Sequence, residues 1–233
     1  MPVSPLVIIH ICAAVVGLLS GYLSMLLRKG SGLHQAAGNV FFVSMLIMSS
    51  TAAYIATFLH PIRINIVASL LTFYLVSTAW WAARHRDGRT GSFDVGALFF
   101  VCAVTLGALT FGFQAASSPN GTLDRMPAFM YFVFGTVALL HVVSDVRLLV
   151  RRGVTGTGRI VRHLSRMCLA LLIATMSFYP GQAKLFSRAV RETNLLFIPH
   201  VLLIGSLLFW LVRMRSRKRR PLEMTPLAQV GAS

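Results

Sequence analysis

Residues 5–27 read PLVIIHICAAVVGLLSGYLSMLL, and Arg28-Lys29-Gly30-Ser31-Gly32 follow at once. A hydrocarbon core about 30 Å thick is crossed by about 20 apolar residues of α-helix, and this stretch supplies that length without one charged side chain. A soluble amphipathic helix would show a polar face at a period of 3.6 residues, and none is present. The same pattern returns at roughly 38–58, 64–83, 95–114, 127–149, 166–186 and 195–212. Pro180-Gly181 inside the sixth stretch predicts a kink or break. The chain therefore reads as all-α, an integral membrane bundle of seven transmembrane helices over residues 1–214. A basic tail, 215–233, loses all hydrophobic periodicity and is expected to be disordered.

Composition agrees with a membrane protein. Of 233 residues 56% are hydrophobic and 12% charged, and the mean hydropathy is +0.73. Twenty-two basic residues against six acidic ones give a formal charge of +16. In a soluble chain that excess would suggest nucleic acid. Here the cations fall in short segments between apolar runs, with no basic face carrying stacking aromatics, so no nucleic-acid partner is expected. Seventeen of them lie after the first, third, fifth and seventh segments, and five on the opposite side. The positive-inside rule then puts the N-terminus outside and the C-terminus in the cytoplasm, an arrangement that requires an odd number of spans. No positive region precedes the first apolar stretch and no small-residue cleavage site follows it, so it is expected to be a retained helix.

Polar groups inside a bilayer are costly, so each one is a candidate for function. His10 and His200 fall at similar depth from the outer side, with Gln182 nearby in sequence depth, which predicts an outer polar pocket. His34 and His163 flank the cytoplasmic side. Two histidines at matched depth on different helices meet the minimum for bis-imidazole ligation of haem b, so the pairs His10/His200 and His34/His163 are the candidate axial ligands. Asp145 is the one acidic residue within a span and is expected to pair with Arg147, Arg162 or Arg166. Gly17-x-x-x-Gly21 beside Ser20-x-x-x-Ser24 forms a small-residue stripe suited to close packing within the bundle. Cys12, Cys102 and Cys168 have no metal or redox spacing and read as buried thiols.

Several chemistries lack their residues. No lysine lies between Asn194 and Arg213 to carry a retinal Schiff base, and no His-Glu-x-x-His, Gly-x-Ser-x-Gly or phosphate-binding loop occurs. No catalytic residue and no metal site is assigned.

The segment Arg28-Lys29-Gly30-Ser31-Gly32-Leu33-His34 with Gly38 follows a histidine-bearing first span. Further on come Asp145-Val146-Arg147-Leu148, Arg162-His163-Leu164-Ser165-Arg166-Met167, Ser177-Phe178-Tyr179, Gly181-Gln182 and Phe197-Ile198-Pro199. In these motifs the chain resembles an uncharacterised family of bacterial polytopic inner-membrane proteins, a domain of unknown function. Members of that family carry a tryptophan in place of Ser165 and a small residue in place of His141, which argues against His141 as a general ligand. The resemblance implies a multi-pass protein of the bacterial cytoplasmic (inner) membrane, and carries over His10, His34, Arg162, His163, Arg166 and Gln182 as a functional core. Arg28, His34, Arg162, His163 and Arg166 are expected at the cytoplasmic interface. There they would hold an anionic lipid or a quinone-like ligand, or form a structural network around Asp145. A b-type cytochrome and a small-solute transporter or channel stay open as alternatives.

Overall fold

The computed structural model describes residues 4–179, 182 and 186–217. Its long helices are α1 (Pro5–Leu26), α2 (Gly32–Tyr54), α3 (Arg63–Arg84), α4 (Ser92–Ala116), α5 (Ala128–Val150), α6 (Gly156–Phe178) and α8 (Ile198–Arg217). A short α7 (Arg188–Glu192) and a 3₁₀ turn (Asn194–Phe197) precede α8. Six helices, α1 to α6, are long and apolar enough to cross a membrane, α2 together with the π-helical turn Ile55–Leu59 that continues it. The apolar part of α8, Ile198–Arg213, is shorter. The chain is thus an all-helical protein of multi-pass membrane type.

Burial is arranged for a bilayer rather than for water. α3 packs against α2, α4, α5 and α6 and forms the centre of the bundle, with Leu71, Leu75, Val76 and Ala79 fully buried. α1 and α5 instead turn Ile8, Leu19, Leu26, Leu140 and Val150 outward, as lipid tails permit. Inward positions are rich in Ser and Thr. Their hydroxyls are satisfied within their own helices: Ser49 donates to the Met45 carbonyl, Thr72 to that of Ala68 and Thr105 to that of Val101, each at 2.7 Å. Such side chains let helices approach closely without leaving an unpaired polar group in hydrocarbon.

The small-residue stripe of α1 serves packing within the chain. A side chain on Gly21 would lie 2.8 Å from Leu171 of α6 and 2.9 Å from the Phe41 ring of α2. Gly17 faces Met45 and Ser44 in the same way. Cys168 is buried as expected, but Cys12 is exposed on the outer face of α1, because that helix packs on α2 along its other side.

The sixth span differs from its sequence reading. Hydropathy places it at 166–186, whereas α6 runs from Gly156 to Phe178. Its first ten residues carry Arg159, Arg162 and His163, which lower any hydropathy average, yet they are helical because their polar groups find partners on α3 and α5. The expected break at Pro180-Gly181 lies outside the described residues, and α6 ends two positions before it. Likewise α8 continues to Arg217, three residues into the stretch read as tail, and 218–233 lie outside the described residues.

At the end where α2 finishes and α3 begins, a two-residue hairpin closes the α4–α5 connection. Asp124 and Arg125 both adopt positive φ between the paired strands Thr122–Leu123 and Met126–Pro127. The Asp124 carboxylate accepts from the Arg63 backbone amide and from its guanidinium, both at 2.8 Å. A carboxylate at the first turn of α3 complements the positive end of the helix dipole.

Candidate functional site: a carboxylate hub beside a cationic cleft

Midway along α3, near the end of α5 and in the first half of α6, three helices converge on one carboxylate. Asp145 of α5 is 1% exposed. Its Oδ2 accepts from the Tyr74 hydroxyl of α3 at 2.6 Å. Its Oδ1 accepts from Arg162 Nη1 at 2.9 Å and also from Arg166 Nη2. Arg166, itself 1% exposed, lies over the Tyr74 ring at 5.1 Å, and the His141 ring meets Tyr74 edge-on at 6.0 Å. Each partner answers a need created by burial, since an unpaired ion in a low-dielectric interior is expensive. Of the expected partners of Asp145, Arg162 and Arg166 are confirmed, while Arg147 is exposed.

One carboxylate between two guanidinium groups leaves one positive charge over. Among the described residues, Arg166 Nη1 is buried without a hydrogen-bond partner.

Arg162 faces two ways. Besides joining Asp145 it lines a cleft at the arginine-rich end of the bundle, together with His85, Arg89, Asp94 and Arg159, over a floor of Trp81 and Leu148. The cleft is built by joining two loops. Arg89 and Gly153 form a β-bridge, and the Val154 amide donates to the Gly88 carbonyl at 3.0 Å. Gly153 has φ +126°, and a Cβ there would lie 1.7 Å from the Gly88 oxygen, so the close approach requires glycine. Trp81 is stacked between His85 and Phe93, with centroid separations of 3.4 and 4.4 Å. Asp94 accepts from the Gly91 amide at 3.0 Å, closing the first turn of α4.

The remaining basic groups at this end hold helix C-termini. Arg159 Nη1 donates to the Ala82 and Ala83 carbonyls, at 3.1 and 2.7 Å, and His163 Nδ1 donates to Ala79 at 2.9 Å, all on α3. On α1, Lys29 Nζ donates to Ser24 and Met25, at 2.9 and 2.8 Å, and His34 Nδ1 to Ser24 at 2.9 Å. The carbonyls of Ala82, Ala83, Ser24 and Met25 are among the last of their helices, which have no intrahelical donor and favour cations, whereas Ala79 lies one turn further in. Burial holds the Lys29 ammonium below the usual lysine range. His34, Arg159 and Lys29 all lie within electrostatic reach of His163.

The structure therefore sorts the sequence candidates. Arg162 and Arg166 meet at Asp145. His34 and His163 each have Nδ1 engaged by a backbone carbonyl, of Ser24 and of Ala79 respectively. Arg28 is exposed and joins neither group. Among the described residues, no contact gathers His10, Gln182 and His200 into an outer pocket. His10 Nδ1 is bonded to the Met48 carbonyl at 3.1 Å and faces Thr51 at 3.3 Å, so it ties α1 to α2. Gln182 is exposed, with its backbone amide on the Phe178 carbonyl. His200 is buried against the rings of Tyr179 and Phe197, and among the described residues neither of its nitrogens has a partner. Tyr74, Arg89, Arg159 and Asp94 were not singled out as site residues by sequence. The signal available was the spacing of Arg159, Arg162, His163 and Arg166, which places all four on one helical stripe.

No protein-family model, curated protein or solved structure matches this chain.

Proposed function

We propose that this is a seven-span protein of the bacterial inner membrane, N-terminus outside, that holds an anionic lipid headgroup at its cytoplasmic end. The seventh span is α8, whose twenty residues give a helix about 30 Å long. The orientation follows from the seventeen-to-five distribution of basic residues and from the odd number of spans. The inner-membrane assignment rests on the resemblance of the Arg28–Gly38 and Asp145–Met167 motifs to the bacterial family.

The observation that carries the headgroup reading is the cleft. Arg159 and Arg162 each commit one Nη to the protein, and among the described residues Arg89 makes no side-chain hydrogen bond, so donors remain on all three for an anion. Guanidinium forks match phosphate oxygens in charge and geometry. The hub beneath fixes Arg162, and the two joined loops fix the Arg89 backbone relative to the start of α6. Lipid co-purifying with the full chain, measured by native mass spectrometry, should be anionic and should be lost in Arg89→Gln/Arg159→Gln. Retention of zwitterionic lipid alone would remove the reading. Co-purification of a quinone in place of lipid would reassign the site to a carbonyl ligand.

A second reading is bis-histidine haem b at His34 and His163. What favours it is the Nδ1–H···O=C bond on each, the second-shell arrangement of metal-bound imidazoles. Absorbance of the purified chain from haem-replete cells decides it. A Soret band that vanishes in His34→Ala and His163→Ala is the expected sign, and its absence ends the reading.

A further inference from the structure

The charges around the cleft define the anion more narrowly than the headgroup reading does. Four arginines, Arg89, Arg159, Arg162 and Arg166, face two carboxylates, Asp94 and Asp145, across the cleft and the hub beneath it. Arg86 and Asp87 on the same loop, and Arg151 and Arg152 on the loop joined to it, stand exposed, where solvent screens them. The assembly is therefore short of two negative charges. A phosphodiester headgroup supplies one, with two free oxygens. A terminal phosphate supplies close to two at neutral pH, with three acceptor oxygens.

The donors match the second kind of ligand in number as well. Arg159 and Arg162 stand one helical turn apart on α6, and Arg89 comes from the α3–α4 loop, so three guanidinium groups reach the cleft from two elements. Each has N–H donors beyond the protein acceptors named above. The loops that place them are joined at Gly88 and Gly153, which sets their separation before any ligand arrives.

We infer that the cleft is a site for a terminal phosphate dianion, a phosphomonoester lipid such as phosphatidate or a soluble phosphate of the same charge. This inference rests on the cleft being an anion site and adds the charge and the esterification state of its ligand.

The test uses the purified full chain in detergent, titrated in native mass spectrometry with short-chain phosphatidate, with short-chain phosphatidylglycerol and with inorganic phosphate. Phosphatidate should bind about tenfold or more tightly than phosphatidylglycerol, the ratio that one charge-assisted hydrogen bond supplies. Arg89→Gln should reduce that preference by a similar factor without altering thermal unfolding, since the Arg89 side chain is exposed and holds no protein acceptor. Equal affinity for the two lipids overturns the inference and leaves the headgroup reading standing. Inorganic phosphate binding as tightly as phosphatidate supports the inference and overturns the lipid reading. Binding of none of the three overturns both.

Discussion

Replacing Asp145 by asparagine tests whether the hub holds the bundle together. The change keeps the shape of the side chain but removes the one anion that both Arg162 and Arg166 touch. Arg162, with a side chain 10% exposed, can swing toward the cleft and its solvent. Arg166, at 2%, cannot, and would be left as a buried charge over the Tyr74 ring. Removing one partner of a buried ion pair costs about 3–5 kcal/mol, mostly the penalty of the charge left behind. At about 1.4 kcal/mol per power of ten, the unfolding equilibrium should shift by roughly two to four powers of ten. Equilibrium unfolding of the purified chain in mixed micelles, titrated with a denaturing detergent, reads this directly. Asp145→Asn/Arg166→Gln restores the wild-type net charge of the hub and should recover a good part of the loss, a non-additivity that contact predicts. A single variant within about 1 kcal/mol of wild type, the range of an exposed pair, would refute the reasoning. So would a double variant whose cost equals the sum of the two singles.

Tyr74→Phe removes only the hydroxyl that donates to Asp145 at 2.6 Å. A hydrogen bond to a charged group contributes about 1.5–3 kcal/mol, so this variant should fall between wild type and Asp145→Asn in the same titration. Gly153→Ala forces a Cβ against the Gly88 carbonyl at φ +126° and should cost about 1–3 kcal/mol. The accompanying sign is faster amide exchange at Val154, and unchanged exchange there would show that the loops do not depend on the bridge. Lys29 gives a pH dependence. Burial lowers its folded value, so between that value and the unfolded one of about 10.4 the unfolded chain binds more protons. The penalty is therefore present in full at neutral pH and is relieved as pH rises through that window. Relative to Lys29→Met, the wild-type melting temperature should climb as pH rises toward the unfolded lysine value, and parallel curves for the two proteins would argue against it.

Hydropathy and charge located the helices well because each depends on residues close in sequence. The first five spans and α8 fall within a few residues of their expected positions, α2 starting earlier at Gly32. The sixth was misplaced for an instructive reason. A window average treats Arg159, Arg162 and Arg166 as loop, whereas in the fold they point at a carboxylate and at helix-end carbonyls. Pairing of Asp145 with arginine could be anticipated from the cost of an isolated charge. Tyr74 could not, because a tyrosine within a span reads like any other aromatic until the helix opposite is known. The outer group of His10, Gln182 and His200 was inferred from matched depth alone. Depth says nothing about azimuth, and His10 turns to α2 rather than toward α8.

The hub also bears on how the chain is made. Asp145 leaves the ribosome 17 residues before Arg162 and 21 before Arg166. At about 5–20 residues per second, the carboxylate waits roughly one to four seconds with Tyr74 as its only available partner. It sits five residues from the end of α5, about 7.5 Å, near enough to the interface to stay in contact with water during that interval. α5 is then committed to its final depth only when the first three turns of α6 arrive, so these helices are expected to enter the bilayer as a hairpin. A nascent chain ending at Val154 should leave a cysteine placed at Val146 open to a water-soluble alkylating agent, and one ending at Phe178 should protect it. Equal labelling of the two would mean that α5 settles alone. The same ion pairs that fix the finished bundle would in this way time its assembly.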